Sequence, residues 1–235
     1  MATFVLIPGA GSDSWFWHLV VPELERRGHD VVTMDLPCAD DTAGFEEYAD
    51  VVVDAIGDRA GRGDVVLVAQ SMGSFTALLV CERVPTRLLV LVNAMTPTPG
   101  ETGGQWWEST GLEADQRAYA AAIGVEPGMD DVEALFFHDV PAEITAYAMQ
   151  QGEQPQSGTP FERPYPLTAW PDVPTRFLLA RDDRMFPATF QRRVVQERLG
   201  FEPDEMDGGH LTALSRPTEL AERLDAYARG AGLTA

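Results

Sequence analysis

The sequence contains no lysine: all 17 basic residues among its 235 residues are arginine. Without a lysine amine, the chain cannot form a Schiff base with a carbonyl substrate. It also cannot build the lysine-containing phosphate loop of nucleotide hydrolases. Both classes of enzyme are therefore excluded.

Positive charge is scarce as well, since 37 acidic residues give a net charge of −20 at pH 7. Nucleic acids and anionic membranes are polyanions, so we expect neither as a partner. Long apolar runs are missing too, and no stretch approaches the roughly 20 residues that span a membrane. The first residues lack the basic region of a signal peptide. We therefore expect a cytoplasmic protein.

Cysteine is rare, with only Cys38 and Cys81 present. Their spacing fits no metal-ligand motif, and two cysteines do not establish a disulfide. We interpret them as free, buried thiols. The sequence predicts no metal site and no other cofactor.

Strands and helices alternate along most of the chain. Apolar runs without polar alternation predict buried parallel strands. They cover residues 3–7, 30–34, 65–69, 87–92 and 175–180, with a short strand near 201–206. The first helix is expected to run without interruption from a cap at 12–14 to Gly28. This pattern predicts an α/β fold with a mostly parallel sheet of about six strands, covered by helices on both faces.

The alternation stops after residue 95. Short helical patterns at 113–123, 130–137 and 141–151 follow, with many aromatic residues between and within them. We interpret residues 96–172 as a helical cap inserted into a core formed by 1–95 and 173–235. About half of its aromatic residues are expected only to hold the small helices together.

A serine lies between the strand at 65–69 and a helical pattern that ends near Pro85. Ala69 and Gly73 stand two positions before and after Ser71. Small residues at these positions are typical of a nucleophile elbow, in which strand and helix approach the serine closely. Ala69 replaces the first glycine of the usual Gly-x-Ser-x-Gly pattern. From these residues alone, a serine in an ordinary strand-to-helix turn is an equal alternative.

A serine nucleophile needs a base, and the base needs an orienting carboxylate. His210 follows two glycines after the last predicted strand, while His138 in the cap is the competing base. Asp182 and Asp183 both follow the strand at 175–180, so either could be the acid. The order Ser, Asp, His is that of the α/β-hydrolase triad.

Short segments spread over nearly the whole chain match the motifs of one family. They are Phe4–Gly9 with Trp15 and Trp17, Gly28–Val31 with Asp35 and Leu36, Ser71–Gly73, Phe137–Pro141, Asp183–Phe186 and Gly208–His210. In these segments the chain resembles the α/β-hydrolase superfamily. The resemblance is strongest to the branch of plant methylesterases and hydroxynitrile lyases with their bacterial esterase relatives.

The resemblance implies a role for each residue of the predicted site. Ser71 would be the nucleophile, His210 the base and Asp183 the acid. The backbone amides of Ala10 and Met72 would form the oxyanion hole.

Two departures from the family pattern bear on the chemistry. Pro8 stands where the family usually has histidine, so the hydrogen bonds of that histidine are missing while the amide of Ala10 is retained. Leu211 stands where the hydroxynitrile lyases have a lysine that stabilises cyanide. The resemblance therefore favours ester hydrolysis over cyanogenic lyase activity.

Together, these features predict a serine esterase acting on small to medium apolar or aromatic esters through an acyl-enzyme. Trp106, Trp107, Phe137 and His138 in the cap are expected to line the substrate pocket. The alternatives are cleavage of lactones or carbon–carbon bonds by the same triad, or ligand binding with negligible turnover. The predicted partner is a small-molecule ester, and a homodimer is left open.

Overall fold

The computed structural model describes residues 1–125, 131–152 and 154–233. Its sheet contains β1 (Thr3–Ile7), β2 (Asp30–Thr33), β3 (Val65–Gln70), β4 (Leu88–Val92), β5 (Thr175–Ala180) and β6 (Asp204–Met206). Every neighbouring pair is parallel, which confirms the predicted sheet. β6 is shorter than predicted because Pro203 has no N–H to donate to a sheet ladder.

The strand order is β2-β1-β3-β4-β5-β6. From β1 the chain first moves outward to β2 and then returns to β3 on the other side of β1. The order therefore reverses between β1 and β3, where Ile7 pairs with Ala69. In open parallel sheets, ligands bind at such a switch point, beyond the carboxyl ends of the strands.

The helices run between the strands and after them. They are α1 (Val21–Arg26), α2 (Phe45–Ile56), α3 (Gly73–Cys81), α4 (Gly103–Thr110), α5 (Leu112–Ile123), α6 (Val132–Phe136), α7 (Ala142–Gln151), α8 (Thr159–Glu162), α9 (Ala188–Leu199), α10 (Thr212–Ser215) and α11 (Pro217–Gly230). Among the described residues, no helix is both long enough and apolar enough to cross a membrane.

Two hydrophobic clusters cover the two faces of the sheet, because successive strand residues point to opposite sides. Leu67 and Leu91 pack with residues of α2, α3 and α9 on one face. Val66 and Val90 pack with residues of α1, α10 and α11 on the other. The prediction of helices on both faces is therefore confirmed.

The prediction that the first helix runs without interruption was wrong. A 3-10 helix covers Ser14–Trp17, and α1 begins separately at Val21. Pro22 explains the break, because a proline inside a helix removes a hydrogen bond and clashes with the carbonyl four residues earlier. Asp13 caps the 3-10 helix by accepting from the Trp15 amide.

The segment between β4 and β5 contains the short helices α4 to α8. Helices α5, α6 and α7 correspond to the three predicted cap helices, although residue 130, where one was expected to begin, lies outside the described residues. Helix α4 was not predicted, yet Thr102 and Gln105 form a capping box at its start. That pair is visible in the sequence as a helix-start signal. The division into core and cap at residues 96 and 172 stays a prediction.

Candidate active site

Ser71 lies in the turn between β3 and α3, in a strained backbone conformation. Its φ angle is +52°, which is unusual for a residue other than glycine. Its amide donates to the Val92 carbonyl at 3.2 Å, and its carbonyl accepts from the Met95 amide at 3.1 Å. Ser74 Oγ donates to the same carbonyl at 3.0 Å. Neighbouring elements therefore hold the turn in place, as expected where strain serves a functional site.

The loop after β1 crosses the elbow in direct backbone contact. A Cβ on Gly73 would lie 2.5 Å from the Pro8 carbonyl oxygen, which is far inside van der Waals contact. A Cβ on Gly9 would lie 2.4 Å from Gln70 Oε1 and 3.0 Å from Ser71 Cβ. Position 73 therefore requires glycine unless the Pro8 backbone moves, while a side chain at position 9 would displace the Gln70 amide group.

Two backbone amides near Ser71 are free to bind an anion. Ala10 follows the glycine that crosses the elbow, and Met72 directly precedes α3. Within the described part of the chain, neither amide donates to another protein group. The amino terminus of α3 adds a partial positive charge beside Met72. The arrangement fits the oxyanion hole that the resemblance implies.

Asp183 and His210 form a buried hydrogen-bonded pair. The distance between Asp183 Oδ2 and His210 Nδ1 is 2.8 Å. Asp183 is 0 % exposed, and its Oδ1 accepts from the amides of Met185 and Phe186 at 2.8 Å each. These two hydrogen bonds fix the orientation of the carboxyl group, with Oδ2 toward the imidazole. Asp182 is exposed, so the structure brings Asp183, and not Asp182, to the histidine.

Asn93 fixes the backbone around His210. Its Nδ2 donates to the carbonyls of Gly209 and His210 at 3.2 Å each, and its Oδ1 accepts from the Ala180 amide at 2.7 Å. Its φ angle of +44° is also unusual for a residue other than glycine. Sequence reasoning missed Asn93. Its signal is a polar side chain directly after a buried strand, at the edge where the crevice lies.

Gln191 and Gln70 make two further contacts with the Asp183 and His210 pair that were not predicted from the sequence. Gln191 Nε2 lies 3.4 Å from Asp183 Oδ2 and donates to the Phe186 carbonyl at 2.6 Å. Gln70 Nε2 lies 3.4 Å from the His210 carbonyl. Because Gln70 is the neighbour of Ser71, this contact joins the elbow to the histidine loop.

Within the described residues, no hydrogen bond joins Ser71 Oγ to His210. Catalytic hydrogen bonds of this kind often tighten only when a substrate binds. The geometry brings Ser71 and His210 to the same sheet edge, and their catalytic roles stay predictions.

Aromatic rings surround the imidazole of His210. The Phe186 ring lies 5.0 Å away and the Phe136 ring 5.5 Å away, both edge to face. Phe137, which is predicted to line the pocket, is partly buried and packs against the cluster on the other face of the sheet. Among the described residues between β4 and β5, Phe136 is the one whose ring contacts the imidazole.

The two tryptophans of α4 lie farther from His210. Trp106 is 0 % exposed and packs against Trp107, Phe186 and Phe190. The Phe186 ring contacts both Trp106 and the imidazole of His210. Trp107 is partly buried, with its ring 6.1 Å from that of Phe186. In this conformation Trp106 is a core residue, and it offers no surface to a substrate.

His138, the competing base, lies beside Gly209. Its Nε2 is buried without a hydrogen-bond partner. Burial lowers the pKa of the imidazole, and the positive charge of Arg184 lowers it further. In the described part of the chain, the histidine that pairs with the Asp183 carboxylate is His210 and not His138. Nor do any three His, Cys, Asp or Glu side chains there form a group that could hold a metal ion.

Comparisons with known proteins found several chains that are similar over nearly their whole length. An Oryza sativa subsp. indica protein described as a probable esterase, PIR7A, is 26% identical over 248 residues, with 94% of each chain covered. The crystal structure of polyneuridine aldehyde esterase has a TM-score of 0.79 at 22% identity and covers 97% of this chain and 99% of its own. A pyrethroid hydrolase from Sphingobium faniae JZ-2 has a TM-score of 0.75 at 22% identity, with 97% of each chain covered.

Solved structures that share 22% sequence identity with this chain show that the fold is the same. The family itself is shown by a model of the alpha/beta hydrolase family, which matches residues 4–223. The chain therefore belongs to the α/β hydrolase family.

Proposed function

We propose that the chain is a carboxylic ester hydrolase with Ser71 as nucleophile, His210 as general base and Asp183 as its orienting acid. The observation that carries the proposal is the buried hydrogen bond between Asp183 and His210. It lies at the sheet edge where the strained Ser71 turn meets the loop after β1. Nucleophile, base and carboxylate are the parts that acyl transfer needs.

The proposed reaction begins when the ester carbonyl oxygen binds to the amides of Ala10 and Met72. Ser71 Oγ attacks the carbonyl carbon while His210 Nε2 accepts the hydroxyl proton. Asp183 Oδ2 accepts a hydrogen bond from Nδ1–H throughout, which keeps the imidazole in the tautomer that leaves Nε2 free. Each amide stabilises the oxyanion by about 3 kcal/mol.

The tetrahedral intermediate collapses when His210 Nε2 returns its proton to the leaving alcohol. This leaves an acyl group on Ser71 Oγ. Water then loses a proton to the same Nε2 as it attacks the acyl carbon. The second intermediate collapses when Nε2 gives this proton to Ser71 Oγ, which releases the acid and restores the serine hydroxyl. The cycle needs no redox step.

We propose small to medium apolar or aromatic esters as substrates. The rings of Phe136 and Phe186 beside His210 support this class, since they form apolar walls next to the reacting atoms. The esterase and pyrethroid hydrolase names of similar proteins support the bond type. The same residues could open a lactone or cleave a carbon–carbon bond, so a substrate panel includes lactones and β-diketones beside p-nitrophenyl esters.

A fluorophosphonate probe followed by intact mass measurement tests the proposal. The wild type and Ser12→Ala, a matched serine substitution in the loop after β1, are expected to gain one adduct. Ser71→Ala is expected to gain none. Absence of an adduct on folded wild type would contradict the proposal and favour ligand binding without turnover.

A further inference from the structure

Two cap side chains accept hydrogen bonds from the backbone of the proposed catalytic loops. Asp139 Oδ2 accepts from the Gly209 amide at 2.7 Å, and Gln156 Oε1 accepts from the Gly11 amide at 3.0 Å. Gly209 directly precedes His210, while Gly11 directly follows Ala10. Each contact is therefore one residue from a group to which we assign a catalytic role.

The Asp139 contact completes the support of the histidine loop. The Gly208 carbonyl accepts from the Asp182 amide at 3.0 Å, and the Gly209 carbonyl accepts from Asn93 Nδ2. The peptide groups before His210 therefore have three hydrogen-bond partners, which are Asp182, Asn93 and Asp139. The direction of the imidazole depends on this backbone and on Asp183, which is its only carboxylate partner in the described residues.

The surroundings of Asp139 argue against a role in stability alone. Its Oδ1 is buried without a hydrogen-bond partner, and so is Nε2 of His138. A Cβ on Gly209 would lie 2.7 Å from each of these two atoms. Unpaired buried polar atoms destabilise a fold, and they call for an explanation other than packing. The hydrogen bond from the Gly209 amide to the Asp139 carboxylate supplies that explanation.

The amide group of Gln156 is oriented by its other contacts. Its Nε2 donates to the Tyr48 hydroxyl at 3.2 Å and to the Ser157 carbonyl at 3.0 Å, which leaves Oε1 facing Gly11. Burial raises the pKa of Tyr48 to about 12, so its hydroxyl stays neutral. A Cβ on Gly11 would lie 3.2 Å from the Gln154 carbonyl, so the backbone of this cap segment packs directly on the loop.

We propose that Asp139 and Gln156 are positioning residues: Asp139 fixes His210 through the Gly209 amide, and Gln156 fixes the oxyanion amide of Ala10 through Gly11. The inference rests on the proposed esterase function. Neither side chain needs to touch the substrate, so their loss lowers kcat and leaves KM nearly unchanged. Misplacing a catalytic group by about 1 Å lowers the rate by about 100-fold.

The test uses the full chain with p-nitrophenyl butyrate, and kcat is normalised to sites titrated by the fluorophosphonate so that only folded, reactive molecules count. For Asp139→Ala and Gln156→Met we expect kcat to fall about 10- to 100-fold while KM changes less than about threefold. Asp139→Asn and Gln156→Glu keep an acceptor oxygen and are expected to recover most of the lost kcat. Glu143→Ala and Gln150→Ala change exposed side chains of α7 and are expected to match wild type.

Unchanged kcat in both disruptive variants would overturn the proposal. A rise of KM alone would also overturn it, because that result would make the cap side chains part of the substrate wall. An Asp139→Asn variant as slow as Asp139→Ala would show that charge, and not acceptance of the amide, matters. If Asp139→Ala does not fold, Asp139→Glu gives the same test, since it keeps the charge and moves the acceptor by one methylene. Wild type without turnover or labelling refutes the esterase itself, which separates the two failures.

Discussion

The carboxylate of Asp183 binds the Nδ1 side of His210 at 2.8 Å with one oxygen and two backbone amides with the other. The amides of Met185 and Phe186 fix the carboxylate, and the carboxylate in turn fixes the plane and the tautomer of the imidazole. Both oxygens of the carboxyl group are therefore hydrogen-bonded in a site that is 0 % exposed. The following predictions depend on this pair and on the elements that surround it.

Replacing Asp183 by asparagine keeps the shape of the side chain and reverses the direction of its hydrogen bond. The amide would donate to His210 Nδ1, which moves the imidazole proton to Nε2 and prevents it from accepting the proton of Ser71. We expect kcat to fall about 10³- to 10⁴-fold. Steady-state kinetics with a p-nitrophenyl ester measures this, with the exposed neighbour Asp182→Asn as the control; an equal loss in both variants would contradict the assignment.

Gly73→Ala is expected to abolish most activity. The added Cβ would lie 2.5 Å from the Pro8 carbonyl oxygen, so the loop that carries the Ala10 amide must move. Gly61→Ala is the matched control, because a Cβ at that position meets no atom within 4 Å. The measurement is kcat/KM together with the melting temperature. A fully active Gly73→Ala enzyme would show that the elbow and the loop are not in contact.

Trp106→Ala is expected to act on stability. The side chain is 0 % exposed among Trp107, Phe186 and Phe190, and truncation of such a residue lowers the free energy of unfolding by about 3–5 kcal/mol. Urea denaturation measures the loss. A stable variant with a changed acyl preference would instead place Trp106 in the substrate pocket, as the sequence predicted.

Phe136→Ala is expected to act on substrate binding. Its ring lies 5.5 Å from that of His210, and it is only half-buried, so its removal opens the wall beside the base. We expect KM for an aromatic ester to rise about tenfold, which corresponds to the loss of about 1.4 kcal/mol of apolar contact. Phe137→Ala, one residue farther on and packed on the other face, provides the comparison. A larger effect from Phe137→Ala would reverse this assignment.

A buried ion pair between Arg198 and Glu101 joins α9 to the segment before α4. The closest N–O distance is 2.6 Å, and the side chains are 12% and 8% exposed. Burial alone would raise the pKa of Glu101, but the hydrogen bonds from Arg198 and Ser109 hold it below its ordinary value. Since the folded-state pKa is the lower one, the pair stabilises the fold above the unfolded-state pKa, and this contribution disappears as the pH falls through the folded-state value.

Arg198→Met leaves the buried Glu101 carboxylate without its cation. We expect a loss of about 3–5 kcal/mol in the free energy of unfolding at pH 7. The difference from wild type should be smaller at an acid pH below the lowered folded-state pKa of Glu101, where the carboxyl is protonated. Arg117→Met, which removes an exposed pair with Glu113, is expected to cost less than about 1 kcal/mol. Denaturation curves at pH 7 and at acid pH measure these losses. A stability difference between Arg198→Met and wild type that does not change with pH would contradict the role of the charge.

Much of the sheet could be predicted because its strands are buried on both faces. Such strands are continuous apolar runs, and β1 and β5 begin and end at the predicted residues. Ser71, Asp183 and His210 were candidates for a related reason. Each follows a strand, and the carboxyl ends of parallel strands meet at one edge.

What the sequence left open depends on tertiary packing. Phe136 and Phe137 are neighbours at the end of α6, and only the packing of that short helix decides which ring meets His210. Trp106 is of a residue type that often lines pockets, but it is buried by Phe186 and Phe190, which are distant in the sequence. The contacts of Asn93 likewise come from residues more than 80 positions away. Periodicity within one segment carries no information on such partners.

The all-parallel order of the sheet has a consequence for how activity is acquired during folding. The proposed site is assembled by contacts across long stretches of chain: 117 residues from Asn93 to His210, 70 from Asp139 to Gly209 and 145 from Gly11 to Gln156. Non-local contacts of this kind form late, because each must first close a long loop. A nascent chain that ends before residue 210 therefore lacks the proposed general base. Enzymatic activity would then serve as a direct reporter of the fully folded molecule, appearing after the secondary structure has formed.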